Sequence, residues 1–153
     1  FHELEMSGLK PALVSYSHVL KALAQAGRVD DAADWLQRVE VSNLKPNSVM
    51  YNGVINACAE AGRPEEAASW LSKMEAAQIE PNGISYGSIA KAYVKAGCAD
   101  QAARWLCKMD DSWLAPNVSI YNNVVNAYAK DGQSIKAEAW LRKMEAANLK
   151  PDL

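Results

Sequence analysis

The chain has 153 residues, of which 50% are hydrophobic, and its 16 basic and 18 acidic residues leave a formal net charge of −2. This composition is typical of a soluble globular protein. The sequence contains no apolar run of membrane-spanning length and no low-complexity segment. The near-neutral charge excludes a protein that binds every polyanion through a broad basic surface. Any binding of nucleic acid would require local charge and contacts to individual bases.

Prolines recur along the chain at a constant interval of 35 residues, at positions 11, 46, 81, 116 and 151. Tyrosine, glycine and tryptophan recur at the same interval, as Tyr16, Tyr51, Tyr86 and Tyr121, as Gly27, Gly62, Gly97 and Gly132, and as Trp35, Trp70, Trp105 and Trp140. A period of this length is typical of a solenoid, in which each unit buries its apolar face against its neighbours. We therefore expect the function to lie in equivalent positions of successive repeats.

The first predicted element of each repeat is an amphipathic helix that begins near the tyrosine. In the first repeat, Tyr16, Val19, Leu20 and Leu23 follow the spacing of one helix face. Gly27 is placed to take the left-handed conformation that ends a helix. The same pattern recurs in the later repeats, so each repeat contains a first helix.

A second helix follows the glycine in each repeat. It is predicted to open near Asp30, because an acidic residue is favourable at a helix N-terminus. Trp35, Leu36 and Val39 form its apolar stripe, and we expect the tryptophan to be largely buried between helices. The helix should end before Pro46, since the residue before a proline is disfavoured in helical geometry. No strand pattern is present, and the predicted fold is all-α.

The 35-residue period divides the chain into helical hairpins. The predicted units are the end of a second helix at 1–11, four complete repeats at 12–46, 47–81, 82–116 and 117–151, and the start of a further repeat at 152–153. Solenoids usually carry polar capping elements at their ends. Since these are missing here, we expect the sequence to be a segment of a longer protein.

Residue types that carry catalysis or bind metals do not cluster in the sequence. Cys58, Cys98 and Cys107 occupy three different repeat positions and form no CxxC pair, which argues against a zinc site or a disulfide framework. A recurring acidic position near the end of the second helix is predicted to face solvent; it holds Glu5, Glu40, Glu75, Asp110 and Glu145. We expect no catalysis, no cofactor and no metal within these residues.

Two stretches of the second repeat carry a family resemblance. Residues 46–62 have the sequence PNSVMYNGVINACAEAG, and residues 66–74 have EAASWLSKM. Both resemble pentatricopeptide repeats, and the resemblance covers the entire chain. Period, proline, tyrosine, Ala-Gly turn and Lys-Met ending recur together, whereas tetratricopeptide repeats have 34 residues and a different motif in the first helix. The second helix has Trp-Leu where this family more often has Leu-Phe.

The resemblance implies a right-handed superhelical α-solenoid that binds single-stranded RNA along the concave surface of its first helices. One base is bound per repeat, with the RNA running 5′ to 3′ parallel to the chain. In the family, each base is read by the residue after the tyrosine together with the residue after the next recurring proline. These base-reading pairs are Ser17 with Asn47, Asn52 with Asn82, Gly87 with Asn117, and Asn122 with Asp152.

The family's pairing rules imply a base preference for each repeat. Serine with asparagine resembles an adenine pair, asparagine with asparagine a pyrimidine pair leaning to cytosine, and asparagine with aspartate a uracil pair. Gly87 departs from the usual choices and leaves only a weak purine preference resting on Asn117. An asparagine after a proline also caps a helix, which alone would explain Asn47, Asn82 and Asn117. Asn52 and Asn122, inside a helix, are not explained in that way.

Apolar and basic positions complete the expected RNA site. The family wedges bases between apolar side chains at the positions of Val14, Val49 and Ile84, a pattern that Ser119 interrupts. Two lysines near the ends of first helices would meet phosphates, Lys95 and Lys130. The equivalent position holds Gln25 in the first repeat and Glu60 in the second, neither of which supplies positive charge.

Two functions remain open on the sequence. The first is sequence-selective RNA binding that serves organellar RNA processing, stability or translation, in a mitochondrion or plastid. The second is a protein-binding scaffold in a large organellar assembly such as a ribosome, which Glu60, Gly87 and Ser119 favour. We expect single-stranded RNA as the partner, with protein partners in a larger complex, and neither DNA nor a membrane. An enzymatic activity would require a further domain appended to the repeats.

Overall fold

The structure is a computed structural model that describes residues 13–42 and 44–149, without the side chains at 13, 14 and 17. Within these ranges it contains eight α-helices and no strand, which confirms the all-α prediction. The helices are α1 (Leu13–Gln25), α2 (Val29–Val41), α3 (Ser48–Glu60), α4 (Pro64–Ala76), α5 (Gly83–Lys95), α6 (Ala99–Asp111), α7 (Val118–Lys130) and α8 (Ser134–Ala146). The predicted partial units at 1–11 and 152–153 lie outside the described residues.

The helices alternate between two layers. The first helices, α1, α3, α5 and α7, pack directly on one another in chain order. Each of the second helices α2, α4 and α6 packs between the first helix of its own hairpin and the first helix of the next. The first helices therefore form a continuous inner layer. None of the described helices is long and apolar enough to cross a membrane.

The recurring glycines end the first helices in the predicted way. Gly27 has a φ of 63°, and its N–H donates to the carbonyl of Ala24 at 3.0 Å. The N–H of Arg28 reaches back to the carbonyl of Leu23, also at 3.0 Å. This pair of bonds satisfies carbonyls that the helix end would otherwise leave without partners. The turn reverses the chain into the second helix.

The second helices end before the prolines, as predicted, but another residue causes the ending. Gln78, Trp113 and Asn148 adopt positive φ values of 58°, 58° and 57°. The N–H of Gln78 donates to the carbonyl of Glu75 at 2.9 Å, as at the glycine turns. Since α4 ends at Ala76, a left-handed residue closes the helix before the chain reaches the proline. The proline lies beyond a helix that has already ended.

Small and large side chains alternate in the core between the layers. Recurring alanines and leucines of the second helices are fully or almost fully buried, namely Ala32, Ala67, Ala102, Leu36, Leu71 and Leu106. First-helix side chains such as Leu20, Ile55 and Ile89 meet them. The alanines let helix backbones approach, and the larger side chains fill the remaining space at native density.

The tryptophans lie at the edge of this core and are only partly buried, in contrast to the prediction that they fill it. Each packs against the tyrosine of its own repeat, with ring centroids 5.7 to 6.4 Å apart. A basic side chain three residues further along the helix covers each indole; these are Arg38, Lys73, Lys108 and Lys143. Such cation–π contacts explain why the rings need no deeper burial.

The recurring acidic position is exposed, as predicted, at Glu40, Glu75, Asp110 and Glu145, while Glu5 lies outside the described residues. Glu40 also links two repeats. The hydroxyl of Tyr51 donates to Glu40 Oε1 at 3.0 Å. Burial, followed by the hydrogen bond and the negative charge of Glu40, raises the pKa of Tyr51 to about 12. The carboxylate therefore anchors the tyrosine of the following repeat, a role that the interpretation as a purely solvated face did not include.

Candidate nucleic-acid interface

Charge is divided between the two helix layers. The first helices carry four lysines and one glutamate, a net charge of +3, whereas the second helices carry twelve acidic and seven basic residues, a net charge of −5. The overall charge of −2 hides this separation. The inner layer is therefore electropositive although the chain as a whole is acidic, which favours an anionic ligand along the first helices.

The asparagines that follow the prolines are helix caps. Asn47 Oδ1 accepts the backbone N–H three residues further along at 3.1 Å, and Asn117 Oδ1 does the same at 3.0 Å. Asn82 Oδ1 accepts two backbone N–H groups, at 3.0 and 3.3 Å. Because backbone donors occupy each side-chain oxygen, the amide orientation is set. Each cap is left with its NH2 group, a pure hydrogen-bond donor, to offer a ligand.

The predicted pair Asn52 and Asn82 is joined by a closed ring of hydrogen bonds that includes Ser85. The backbone N–H of Asn82 donates to Ser85 Oγ at 3.1 Å, and Ser85 Oγ donates to Asn52 Oδ1 at 2.6 Å. Asn52 Nδ2 completes the ring by donating to Asn82 Oδ1 at 3.1 Å. Ser85 is fully buried and Asn52 is only 7% exposed. The ring fixes the orientation of both amides. The backbone N–H of Asn82 can only donate, so Ser85 Oγ accepts there and donates to Asn52, and Asn52 must turn its NH2 group to Asn82.

The predicted pair Gly87 and Asn117 also meets, but in a different arrangement. Both residues line an open cleft of about 210 Å³, together with Ile84, Lys91 and Ile120. A Cβ atom on Gly87 would lie 2.8 Å from Ile120 Cδ1 and 3.3 Å from Ile120 Cγ1. Ile120 thus occupies the space that a side chain at position 87 would need.

Ser85 and Ile120 were missed by the sequence reasoning. They occupy the same repeat position, directly before the tyrosine, and each contacts the base-reading position of the preceding repeat. The sequence offered one signal, a matching of residue types at a spacing of 33 residues. The polar Ser85 follows the polar Asn52 at this spacing, and the bulky Ile120 follows Gly87, which has no side chain. Only the packing of one first helix on the next shows that these positions touch.

The predicted stacking residues that the structure describes are exposed. Val49 is 58% exposed and Ile84 is 64% exposed, at the start of their first helices and beside the capping asparagines. Ser119, which interrupts the pattern, is exposed as well. The side chain of Val14 lies outside the described residues. Exposed apolar side chains at the helix starts are accessible to a flat ligand placed against the caps.

The lysines predicted to meet phosphates differ in their surroundings. Glu60 Oε1 lies 2.5 Å from Lys91 Nζ, and Glu60 Oε2 lies 2.6 Å from Lys95 Nζ. Hydrogen bonds from Lys91 and then Lys95 lower the pKa of Glu60 below its ordinary value. Lys130 is exposed and makes no ion pair with any other described residue. Lys95 must therefore leave Glu60, or share it, to bind a phosphate.

The remaining predicted residues are described in part. Asn122 is partly buried, and its side chain has no hydrogen bond to the rest of the described chain. The side chain of Ser17 and all of Asp152 lie outside the described residues. In the part of the chain that the structure describes, no group of three histidine, cysteine, aspartate or glutamate residues could hold a metal ion.

Models of one repeat family match most of the chain. A pentatricopeptide repeat domain model matches residues 1–61, a PPR repeat family model matches residues 46–95, and a PPR repeat model matches residues 84–114 and 119–149. A comparison with curated proteins found no significant match. The family assignment therefore rests on the repeat models and on the solved structures.

Solved structures with the same fold include the pentatricopeptide repeat protein PPR10 from maize, which is 30% identical with a TM-score of 0.78. The structure of PPR10 with an 18-nt psaJ RNA element has a TM-score of 0.88 at 25% identity. Each match covers 99% of this chain, but the chain spans only 22% of PPR10. The PPR domain of Arabidopsis thaliana protein-only RNase P 1, in complex with tRNA, shares the fold at 18% identity, with a TM-score of 0.80 and coverages of 99% and 80%.

Proposed function

Because the chain belongs to the pentatricopeptide repeat family, we propose that it binds single-stranded RNA along its first helices, with one base per repeat. The observation that carries the proposal is the contact between Asn52 and Asn82, which are 30 residues apart in sequence and joined at 3.1 Å. Both belong to one predicted base-reading pair. The similarity to PPR10, whose structure holds an RNA element, supports the same conclusion.

The chemistry of the second repeat suits cytosine. Asn82 offers its NH2 group, and Asn52 keeps one N–H that the ring does not use. Cytosine presents N3 and O2 as neighbouring acceptors, whereas uracil presents an N3–H donor in the same place. Two donors therefore match cytosine and leave the uracil N3–H facing another donor. An unpaired polar group at a buried contact is costly, so the pair should discriminate between the two bases.

The charge distribution supplies the remaining attraction. Single-stranded RNA follows an electropositive groove, and its affinity falls as salt rises because bound counterions are released. The net charge of +3 on the first helices favours such a groove on the layer that holds the base-reading pairs. The exposed Val49 and Ile84 lie at the same layer and provide apolar contacts for the bases.

We further propose a biological setting on the basis of the family. Family membership supports a location in a mitochondrion or plastid and a role in RNA processing, stability or translation. The chain would act by binding RNA and placing it, and any catalysis would belong to a further domain.

A protein-binding scaffold is the second candidate, and one observation favours it. The side chain of Trp113 is 97% exposed and sits in a left-handed backbone conformation that is unusual for a bulky residue. A tryptophan in this position suits contact with another protein. It does not account for the hydrogen-bond ring of Asn52, Asn82 and Ser85.

The test is a change of base preference in the variant Asn82→Asp. An aspartate keeps the oxygen that caps α5 but replaces the NH2 donor by an acceptor, which suits the N3–H of uracil. Titrations would use single-stranded RNAs with the core adenine, pyrimidine, purine and uracil, differing only in cytosine or uracil at the second base. We expect wild type to favour cytosine and the variant to favour uracil, each by about 1–3 kcal/mol, the scale known for paired base contacts.

Two controls complete this experiment. Asn148→Asp changes an exposed asparagine beyond α8 and should leave the base preference unaltered. The reversed RNA and a duplex should bind more weakly than the single strand. Equal binding of all sequences, or none at low salt, would overturn RNA reading and favour the scaffold.

A further inference from the structure

The residue directly before the tyrosine differs in size and polarity between two helix junctions of the chain. Ser85 lies near the start of α5 and touches Asn52 of the preceding first helix, and Ile120 lies near the start of α7 and stands over Gly87. Both are buried, at 0% and 8% exposure. Neither belongs to a predicted base-reading pair, yet each adjoins the helical member of one.

We propose that this residue of the following repeat determines whether the preceding repeat reads a base through its first-helix position. This inference rests on the proposed function and adds a third specificity-determining position to each site, which we call the gate residue: Ser85 for the second repeat and Ile120 for the third. A small polar gate orients a reading side chain, whereas a bulky apolar gate excludes it.

Ser85 acts as an open gate for two reasons. Its side chain is small enough to leave space for Asn52, and its hydroxyl donates to Asn52 Oδ1 at 2.6 Å. That bond occupies the oxygen of Asn52, and the ring uses only one of the two N–H groups of its amide, so the other would be offered to the base. If the Ser85 hydroxyl were removed, the buried oxygen of Asn52 would lose its hydrogen-bond donor. The Asn52 amide could then rotate and present its oxygen, an acceptor, to the base.

Ile120 acts as a closed gate because of its shape. Its Cδ1 atom would lie 2.8 Å from any Cβ at position 87, closer than two carbon atoms can approach without a shift. Any side chain at position 87 therefore requires Ile120 to move, and the third repeat, with glycine there, is left with Asn117 alone. The base bound there would meet an open cleft of about 210 Å³ instead of a pair of amides. We expect the third repeat to tolerate any base that offers one acceptor to Asn117.

The experiment rebuilds the second junction in the third repeat. Gly87→Asn, Ile120→Ser and the double variant would be titrated against RNAs that differ only at the third base. We expect the double variant to prefer cytosine over uracil at least fivefold, while wild type and each single variant differ less than twofold. Discrimination by Gly87→Asn alone that equals the double variant, or none in the double variant, would overturn the proposal.

Thermal unfolding separates this proposal from the proposed function. Gly87→Asn should lower Tm, and Ile120→Ser should recover part of that loss, because the serine removes the clash. Additive shifts would overturn the proposed exclusion of a side chain by Ile120 even if RNA binds. If wild type binds no RNA, the proposed function fails, and the proposed role of Ile120 in base reading fails with it. Non-additive shifts in Tm would still show that Ile120 excludes a side chain at position 87. If Ile120→Ser does not fold, Ile120→Ala vacates the same space and replaces it in the Tm measurement, and Ile120→Thr, which keeps a hydroxyl, replaces it in the titrations.

Discussion

The second and third repeat junctions each pack one first helix on the next, but their chemistry at the base-reading position is opposite. At the second, Asn52, Asn82 and Ser85 close a ring of hydrogen bonds. At the third, Ile120 fills the space beside Gly87, and only the cap Asn117 offers a polar group. The difference teaches that the surroundings of each predicted base-reading position are built from two consecutive repeats. A repeat taken alone contains only part of the side chains that adjoin this position.

The largest expected effect comes from converting the second junction into the third with Ser85→Ile. The larger side chain overpacks a fully buried site, which typically costs about 1–3 kcal/mol. It also removes the donor to Asn52 and the acceptor for the Asn82 N–H, at a further cost of about 1–3 kcal/mol. Urea denaturation should show a loss of about 2–6 kcal/mol in the free energy of unfolding. Cytosine preference at the second base should disappear as well.

A matched control for this variant is Ser69→Ile on α4. Ser69 is exposed, so the same change should alter the free energy of unfolding by no more than about 0.5 kcal/mol. If Ser85→Ile were as mild as the control, the ring would contribute little to holding the junction together.

A medium effect is expected from Glu60→Gln, which removes the negative charge that distinguishes the second junction from the third. At the second junction Glu60 binds Lys91 and Lys95, whereas the equivalent of Glu60 in the next repeat is Lys95 itself. Removing the carboxylate charge frees both lysines for phosphates, so RNA affinity at low salt should rise. The slope of log affinity against log salt should steepen by about 0.7 for each additional phosphate that the lysines neutralise. Glu65→Gln, on an exposed position of α4, should change neither quantity.

The smallest expected effect is the pH dependence of the stability that the Glu60 carboxylate contributes. Lys91 and Lys95 hold the pKa of Glu60 below its ordinary value of 4.5, so the ionised form stabilises the folded state. This stabilisation is fully present above the unfolded pKa and is lost as pH falls through the lower folded pKa. The difference in unfolding free energy between wild type and Glu60→Gln should therefore shrink as the medium is acidified below about pH 4.5. Urea titrations from about pH 7 to about pH 3 would measure it, and a constant difference would contradict the ion pair.

The sequence was sufficient for the helical hairpins and for the capping asparagines beside the candidate site. The 35-residue period, the helical spacing around Tyr16 and the turn at Gly27 are local signals, and local backbone preferences determine them. The caps were also open to prediction, because Asn47 and Asn117 bond to backbone groups within three residues. The tryptophans were placed too deep, since a lysine or arginine covering an indole ring leaves no mark in a hydrophobicity pattern.

The sequence by itself determined the repeat, the helix ends and the positions of the capping amides, because these depend on residues within one hairpin. Tertiary structure alone decided that Ser85 fixes the amide of Asn52, that Ile120 lies against Gly87, and that Glu60 holds two lysines. Each of these contacts joins residues more than 30 positions apart in sequence. The stacking of one first helix on the next brings them within hydrogen-bond or van der Waals distance, and only that stacking determines which side chains remain available to a base.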